Sequence, residues 1–303
     1  MAVDTMKSTD HLATGESLSC FLIDEVIIAD KGTQKLLNTC KIHRFLVTSP
    51  PKRTAAMKQA MIFAAGLGTR LKPLTDTMPK ALVPVGGEPL IWHVLTKLKT
   101  AGFRRIVVNV HHFAKQITDY LAANNNFGID IFISDETSRL LETGGGIRKA
   151  MPLFCHDSPV LVHNVDILSN ADLSAFYDYA LRSRADALLM VSRRNTKRYL
   201  LFDEELILDG WINVQTGEVR SPYKGIDPSQ LKHLAFSGIH VVSPSVFPLL
   251  EGMGERFGII DFYLEYCNKC AFLGFENDNL RLLDVGKLDT LEAAEKFARD
   301  IHD

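Results

Sequence analysis

Little in this chain points to a strong charged field or to a membrane. Its 34 lysines and arginines face 36 acidic residues, a formal net charge of −2. No basic surface therefore advertises nucleic acid or an anionic bilayer as a general partner, and any anion must be held by a local pocket. No apolar run approaches the roughly 18 residues that a membrane span needs. The N-terminus lacks the basic-then-apolar order of a secretory signal. Cysteine is scarce and odd in number, 5 residues at positions 20, 40, 155, 267 and 270, which argues for reduced thiols in a cytoplasmic protein. Cys267-Asn268-Lys269-Cys270 has the spacing of a metal knuckle, but no second pair accompanies it. It falls in an apolar helical pattern, so two half-buried helix thiols are expected. Hexapeptide repeats and low-complexity tracts are absent.

What is present is enough apolar material, 46% of 303 residues, for one large α/β domain or two small ones. Residues 1–56 stand apart. They are mixed and aperiodic, with one apolar island from Phe21 to Ala29 and a Ser49-Pro50-Pro51-Lys52-Arg53 exit. They read as an extension with no catalytic part, a small partner-binding appendage being the alternative. From Met57 the pattern alternates. Strands are expected at Gln59–Ala65, Arg105–Val110, Ile129–Ser134, Pro159–Asn164 and Ala187–Ser192. Helices are expected from Pro89 to Thr100, Ala114 to Ala123, Gly146 to Met151 and Asp172 to Arg182. This order predicts a doubly wound, mostly parallel sheet with ligands at the carboxyl ends of its strands. After residue 195 helices thin out. Tyr199–Phe202, Leu206–Val214 and Phe236–Val242 read as strands, with Thr216-Gly217-Glu218 as a turn. Helices follow at Pro244–Leu250, Ile260–Cys267 and Leu288–Asp300. A nucleotide-binding half, 57–195, and a smaller β-rich lobe, 196–303, are the expected organisation.

Residues 59–85 carry the most information. An apolar run breaks into Gly66-Leu67-Gly68-Thr69-Arg70, and Pro79-Lys80 follows ten residues after the arginine. A buried strand ending in glycines presents bare N–H groups, the usual way to hold phosphate. Arg70 and Lys80 add two cations to the same loop. A dinucleotide fingerprint would need glycine where Leu71 stands, and the P-loop string is absent.

The full string, Gly-x-Gly-Thr-Arg-Leu-x-Pro followed by Pro-Lys-x-Leu-x-Pro-Val, resembles the signature of the sugar-1-phosphate nucleotidyltransferases, over about residues 57–303. The resemblance implies a Rossmann-like, glycosyltransferase-A-like fold. It implies an enzyme joining an NTP to a sugar 1-phosphate, giving an NDP-sugar and pyrophosphate, with Mg²⁺. Such chemistry needs alignment and charge stabilisation more than a general base, because the attacking phosphate oxygen is already anionic.

By that resemblance Ala65, Gly66, Leu67, Gly68 and Thr69 bind the nucleotide phosphates, Arg70 contacts the pyrophosphate, and Lys80 contacts the α-phosphate and the sugar phosphate. Asp166 follows a strand and Asp284 ends another apolar run, two strand-end carboxylates that suit Mg²⁺. The family uses such a pair, and either residue could instead be a helix cap. Leu141-Glu142-Thr143-Gly144-Gly145-Gly146 matches the family's base-recognition loop, with Glu142 reading an N–H edge and Gly144 and Gly145 lying against the base. Phe236-Ser237-Gly238-Ile239 resembles the strand beneath the sugar, so Ser237 and Gly238, with Asn213 or Asp261, are the sugar-side candidates. Ordinary strand and cap roles remain open for these. The resemblance is nearest to uridylyltransferases of N-acetylmuramate 1-phosphate in cell-wall recycling and to mannose 1-phosphate guanylyltransferases, with UTP ahead of GTP. It implies a monomer or small homo-oligomer. Two alternatives stay open: a non-catalytic, nucleotide-binding regulatory relative, and a cytidylyltransferase acting on a phosphorylated alcohol such as phosphocholine.

Overall fold

The structure is a computed structural model that describes residues 57–302. The extension expected over residues 1–56, with Cys20 and Cys40, lies outside the described residues. The fold begins with β1 (Gln59–Phe63). Its residues alternate between two cores: Ala60 and Ile62 enter one, Met61 the other. A strand apolar on both faces must be covered on both faces, and the following elements do so.

A short hairpin of β2 (Pro84–Val85) and β3 (Glu88–Pro89) leads into α1 (Leu90–Thr100). Leu90, Ile91, Val94, Leu95 and Leu98 give α1 its buried stripe. β4 (Arg105–Val110), α2 (Ala114–Ala123) and β5 (Asp130–Asp135) follow. Next come α3 (Glu142–Ala150), β6 (Val160–Asn164), β7 (Ile167–Ser169) and α4 (Leu173–Ser183). The Asp172 carboxylate caps α4, accepting from the Ala175 N–H at 2.9 Å. The first half closes with β8 (Ala187–Ser192).

The second half supplies β9 (Arg198–Phe202), β10 (Leu208–Asn213), β11 (Glu218–Arg220) and β12 (Lys232–Val242). α5 (Phe247–Gly252), α6 (Ile259–Tyr266), β13 (Phe272–Glu276), β14 (Leu282–Asp284) and α7 (Leu291–His302) complete it.

The strands β5, β4, β1 and β6 run parallel, as the βα alternation predicts. β12 then pairs antiparallel with β6, β8 and β9, and β9 and β10 continue antiparallel to β11. The β-rich second half is thus continuous with the first through β12 in one mixed, 10-stranded sheet. Helices α1, α2, α4 and α7 cover one face, and α3, α5 and α6 the other. Each fully buried aromatic or leucine in these cores contributes about 1.5–3 kcal/mol.

Three expectations need correction. The helix expected from Gly146 starts four residues earlier, at Glu142, because its glycines are packing positions. The strand expected from Leu206 starts at Leu208. Leu206 has φ 62 and its N–H donates to the Asp203 carbonyl in a tight turn. Cys267 and Cys270 lie just beyond α6; Cys267 is buried and Cys270 half-buried. No helix among the described residues is long and apolar enough to cross a membrane.

Candidate active site

The parallel strands end in one row. Register places Phe63 of β1 between Asn109 of β4 and Asn164 of β6, at their carboxyl ends. A cleft of about 480 Å³ opens above this row. The Asn109 Oδ1 accepts from the N–H groups of Ala64 and Ala65 at 2.7 and 3.2 Å. The Asn109 amide in turn donates to Glu136 Oε1 at 2.7 Å, and Glu136 Oε2 accepts from the Leu141 N–H at 3.1 Å. Asn109 and Glu136 are buried. One polar chain across three strands therefore ends β1 at Phe63 and sets the path of the glycine loop.

Residues 65–70 all line the cleft. Gly68 has φ 63, and a Cβ there would come within 2.8 Å of the Thr75 methyl, so only glycine suits the position. Leu67 at the loop tip is 44% exposed, a large apolar side chain held over a polar cleft. Arg70 reaches toward Gly286, where a Cβ would lie 3.0 Å from its Nη2.

Lys80 lines the same cleft but is buried, only 8% exposed, and its ammonium is paired directly with Asp166 Oδ2. This is a charge-assisted bond in a partly dry site, which separates Lys80 from an ordinary surface cation. The Val285 N–H donates to the Asp166 carbonyl at 2.8 Å, and Asp284 lies opposite Ile167 in the β7–β14 pair. Asp166, in the turn between β6 and β7, and Asp284, the last residue of β14, are so brought near each other although 118 positions apart. Partial burial first, and the Asp166 charge second, push the Asp284 carboxyl above its ordinary range, while Lys80, Arg70 and Arg194 oppose the shift. Asp166 follows β6 and Asp284 ends β14, and neither caps a neighbouring helix: Asp172 caps α4 and Lys287 precedes the turn that leads into α7.

The second glycine cluster differs from its expectation. Gly144, Gly145 and Gly146 lie inside α3 and are buried. The N–H groups of Gly144 and Gly145 donate to the Phe257 carbonyl at 2.9 and 3.1 Å. A Cβ on Gly144 would overlap the Phe257 ring, and one on Gly145 the Glu255 carbonyl. These two glycines do not line the cleft; they let α3 press against the chain entering α6. Glu142 and Thr143 do line it. Glu142 adopts φ 63, a strained conformation for a side-chain-bearing residue, and its carboxylate pairs with Arg256 at 2.9 Å. Thr143 Oγ1 accepts from the Ile259 N–H at 2.9 Å, and Gly258 joins the cleft wall.

The sugar-side candidates are less convergent. Gly238, at φ 78 in a β12 bulge, sits directly behind Asn164; a Cβ would be 2.6 Å from the Asn164 amide nitrogen. Ser237 is buried and its hydroxyl accepts from the Ile239 N–H. Asp261 accepts from the Gly258 N–H at 3.2 Å and from Arg220 at 2.7 Å. Asn213 accepts from the Gln215 N–H in the β10–β11 turn. None of these four lines the cleft cavity.

Sequence reading missed Asn109, Glu136, Asn164 and Gly258. A polar residue interrupting Ile106-Val107-Val108-Asn109-Val110 was a usable signal, since an amide in a buried parallel strand must have partners.

Residues 59–200 match the family model described as Nucleotidyl transferase. Over 201 residues the chain is 37% identical to the N-acetylmuramate alpha-1-phosphate uridylyltransferase of Caulobacter vibrioides, covering 63% of this chain and 77% of that protein. It is 47% identical over 123 residues to the protein of the same name from Neisseria meningitidis serogroup B, covering 40% of this chain and 52% of the relative. The fold matches a crystal structure of HddC from Yersinia pseudotuberculosis with a TM-score of 0.62 at 22% identity, over 79% of this chain and 99% of that one. The glycine loop, the strand order and these matches agree: this chain belongs to the nucleotidyl transferase family.

Proposed function

We propose that the protein transfers a uridylyl group from UTP to a sugar 1-phosphate, giving a UDP-sugar and pyrophosphate. The observation that carries this reading is the convergence on one cleft of the glycine loop, Arg70 and the buried Lys80–Asp166 pair. Asp284 is outside the cleft lining but within electrostatic reach of all three charged groups. The two uridylyltransferase relatives favour UTP, with N-acetylmuramate 1-phosphate as the first acceptor to try.

The loop backbone and Arg70 hold the β and γ phosphates. Lys80 meets the charge that builds on the α-phosphoryl oxygens as the sugar phosphate attacks in line and pyrophosphate leaves. A preorganised buried cation at that point lowers the barrier more than it strengthens binding. Leu67 offers an apolar surface to the base, and Glu142 accepts from its N–H edge. Gly238 keeps the floor behind Asn164 low enough for the sugar.

The donor set fits a divalent cation. Two carboxylates, Asp166 in the β6–β7 turn and Asp284 at the end of β14, repel each other beside a cleft that also receives polyphosphate, an arrangement a cation relieves. Asp166 and Asp284 would hold Mg²⁺, which when bound neutralises charge on the phosphoryl oxygens. The odd number of cysteines favours a reducing cytoplasm as the setting.

The test is pyrophosphate release from UTP, GTP, CTP and dTTP, each offered N-acetylmuramate 1-phosphate, mannose 1-phosphate, glucose 1-phosphate and phosphocholine with Mg²⁺. The reading expects UTP with a sugar 1-phosphate to be fastest. Turnover confined to CTP and phosphocholine, or none with any pair, overturns it.

A further inference from the structure

A second hollow, of about 540 Å³, opens where the chain leaves β8, between β9, the end of β10 and the start of β12. None of its lining residues also lines the cleft, and none is acidic. In a chain whose net charge is −2, a wall holding Arg193, Arg194 and Lys232 is a local positive field that draws anions.

The cations differ in what they have left to give. Arg193 is spent, because its Nε pairs with Glu276 and the Asp278 charge acts on it as well. Arg194 is exposed and donates from Nη2 to the Phe236 carbonyl at 2.9 Å, which holds the guanidinium and leaves its other N–H groups free. Lys232 donates to the Glu204 carbonyl at 2.9 Å and likewise keeps N–H groups to spare. The Tyr199 hydroxyl accepts from the Thr196 N–H at 3.1 Å, so its own proton remains to donate. Val214, 49% exposed, gives the same wall an apolar edge.

Arg194 also joins the hollow to the cleft. The Phe236 it holds is two residues before Gly238, which packs directly behind Asn164 of the cleft wall. Burial and the Asp166 charge raise the Asp284 carboxyl, and Arg194 is one of the cations opposing that shift. An acceptor whose phosphate lies beside Lys80 and Asp166 thus meets a second cationic wall on the Asp284 side. The planar fork of an arginine matches a carboxylate, and an exposed valine suits a short alkyl group.

We propose that this hollow is the acceptor's second anion site, holding a carboxylate that the sugar carries on a short alkyl arm against Arg194 and Lys232, with Tyr199 donating to it. It thereby selects acidic sugar 1-phosphates over neutral ones. The proposal rests on the uridylyl-transfer reading of the neighbouring cleft.

N-acetylmuramate 1-phosphate is N-acetylglucosamine 1-phosphate with one added lactyl ether, so this pair isolates the carboxylate and its arm. Pyrophosphate release from UTP with each acceptor, by the unaltered full chain, Arg194→Met and Lys232→Met, tests the proposal. In the unaltered chain kcat/KM should favour the acidic acceptor by about tenfold or more, through a lower KM, as expected for hydrogen bonds to a charged group. That ratio should fall about fivefold or more in each variant. A ratio cancels losses common to both acceptors, including any from removing the Arg194 charge near Asp284. Equal use of the two acceptors, preference for the neutral one, or a ratio unchanged in either variant overturns the proposal and leaves uridylyl transfer standing. No turnover with any sugar 1-phosphate overturns both.

Discussion

The two glycine clusters of this chain look alike in sequence and do opposite things. In Gly66–Arg70 the glycines keep the backbone open at the carboxyl edge of the sheet, with Arg70 and Lys80 close by. In Glu142–Gly146 they close the backbone against Phe257 and Glu255, inside a helix whose three glycines each cost about 1 kcal/mol in helix propensity. Missing side chains serve a ligand in the first cluster and another piece of the protein in the second. The difference lies in what each cluster faces, which a local string does not encode.

The largest effect should come from stripping charge around the open cluster. Asp166→Asn and Asp284→Asn should each lower turnover by about 10²–10³, the usual loss when a group stabilising phosphoryl charge is removed, with melting temperature little changed. Near-normal turnover in either variant at limiting Mg²⁺ would remove that aspartate from the centre.

Next comes the closed cluster. Gly144→Ala forces a methyl into the Phe257 ring, and overpacking of this kind costs about 1–3 kcal/mol. Thermal unfolding should show a fall of several degrees, whereas an unchanged melting temperature would deny the packing role.

The dry face beneath α6 sharpens the contrast through pH. His240 is buried with its Nδ1 hydrogen-bonded to the Tyr263 hydroxyl at 2.6 Å, and burial lowers its pKa to about 3. His163, at about 4, is likewise neutral. The unfolded chain, with histidines near 6.5, binds protons that the folded core refuses. Stability should therefore fall as pH drops below about 6.5, by roughly 1.4 kcal/mol per pH unit for each histidine. Melting curves from pH 7 to 5 should show a shallower slope in His240→Gln; an identical slope would mean that His240 is not a source of it.

The smallest effect should be Gly66→Ala. A Cβ there meets nothing within 4 Å, so stability should change by less than about 0.5 kcal/mol, while KM for the nucleotide rises. A drop in melting temperature matching that of Gly144→Ala would erase the distinction between the clusters.

Much of the cleft could be read before the fold was known. The glycine loop, Lys80 and the strand-end aspartates announce themselves in short strings, because a phosphate loop and a strand terminus are local features. The βα order gave the parallel core for the same reason. Asn109 and Glu136 escaped notice because their meaning comes from register: only the β1–β4 pairing brings Asn109 to the amides of Ala64 and Ala65. Gly144 and Gly145 were misplaced because their partners, Glu255 and Phe257, lie over 100 residues away. The sugar side was not legible in this way: Gly238 packs behind Asn164 without lining the cleft, and Asn213 is held in its own turn.

The central claim is that a buried lysine beside Asp166 acts on the reacting phosphoryl group. Steady-state pyrophosphate release by Lys80→Ala, set beside Arg70→Ala, tests it most directly. Lys80→Ala should lower kcat by about 10²–10³, roughly 3–4 kcal/mol, with KM for UTP little changed. Arg70→Ala should lower kcat and raise KM together, since the β and γ phosphates are charged before the reaction begins. A Lys80→Ala enzyme with intact kcat and a raised KM alone would contradict the account, making the lysine a binding residue.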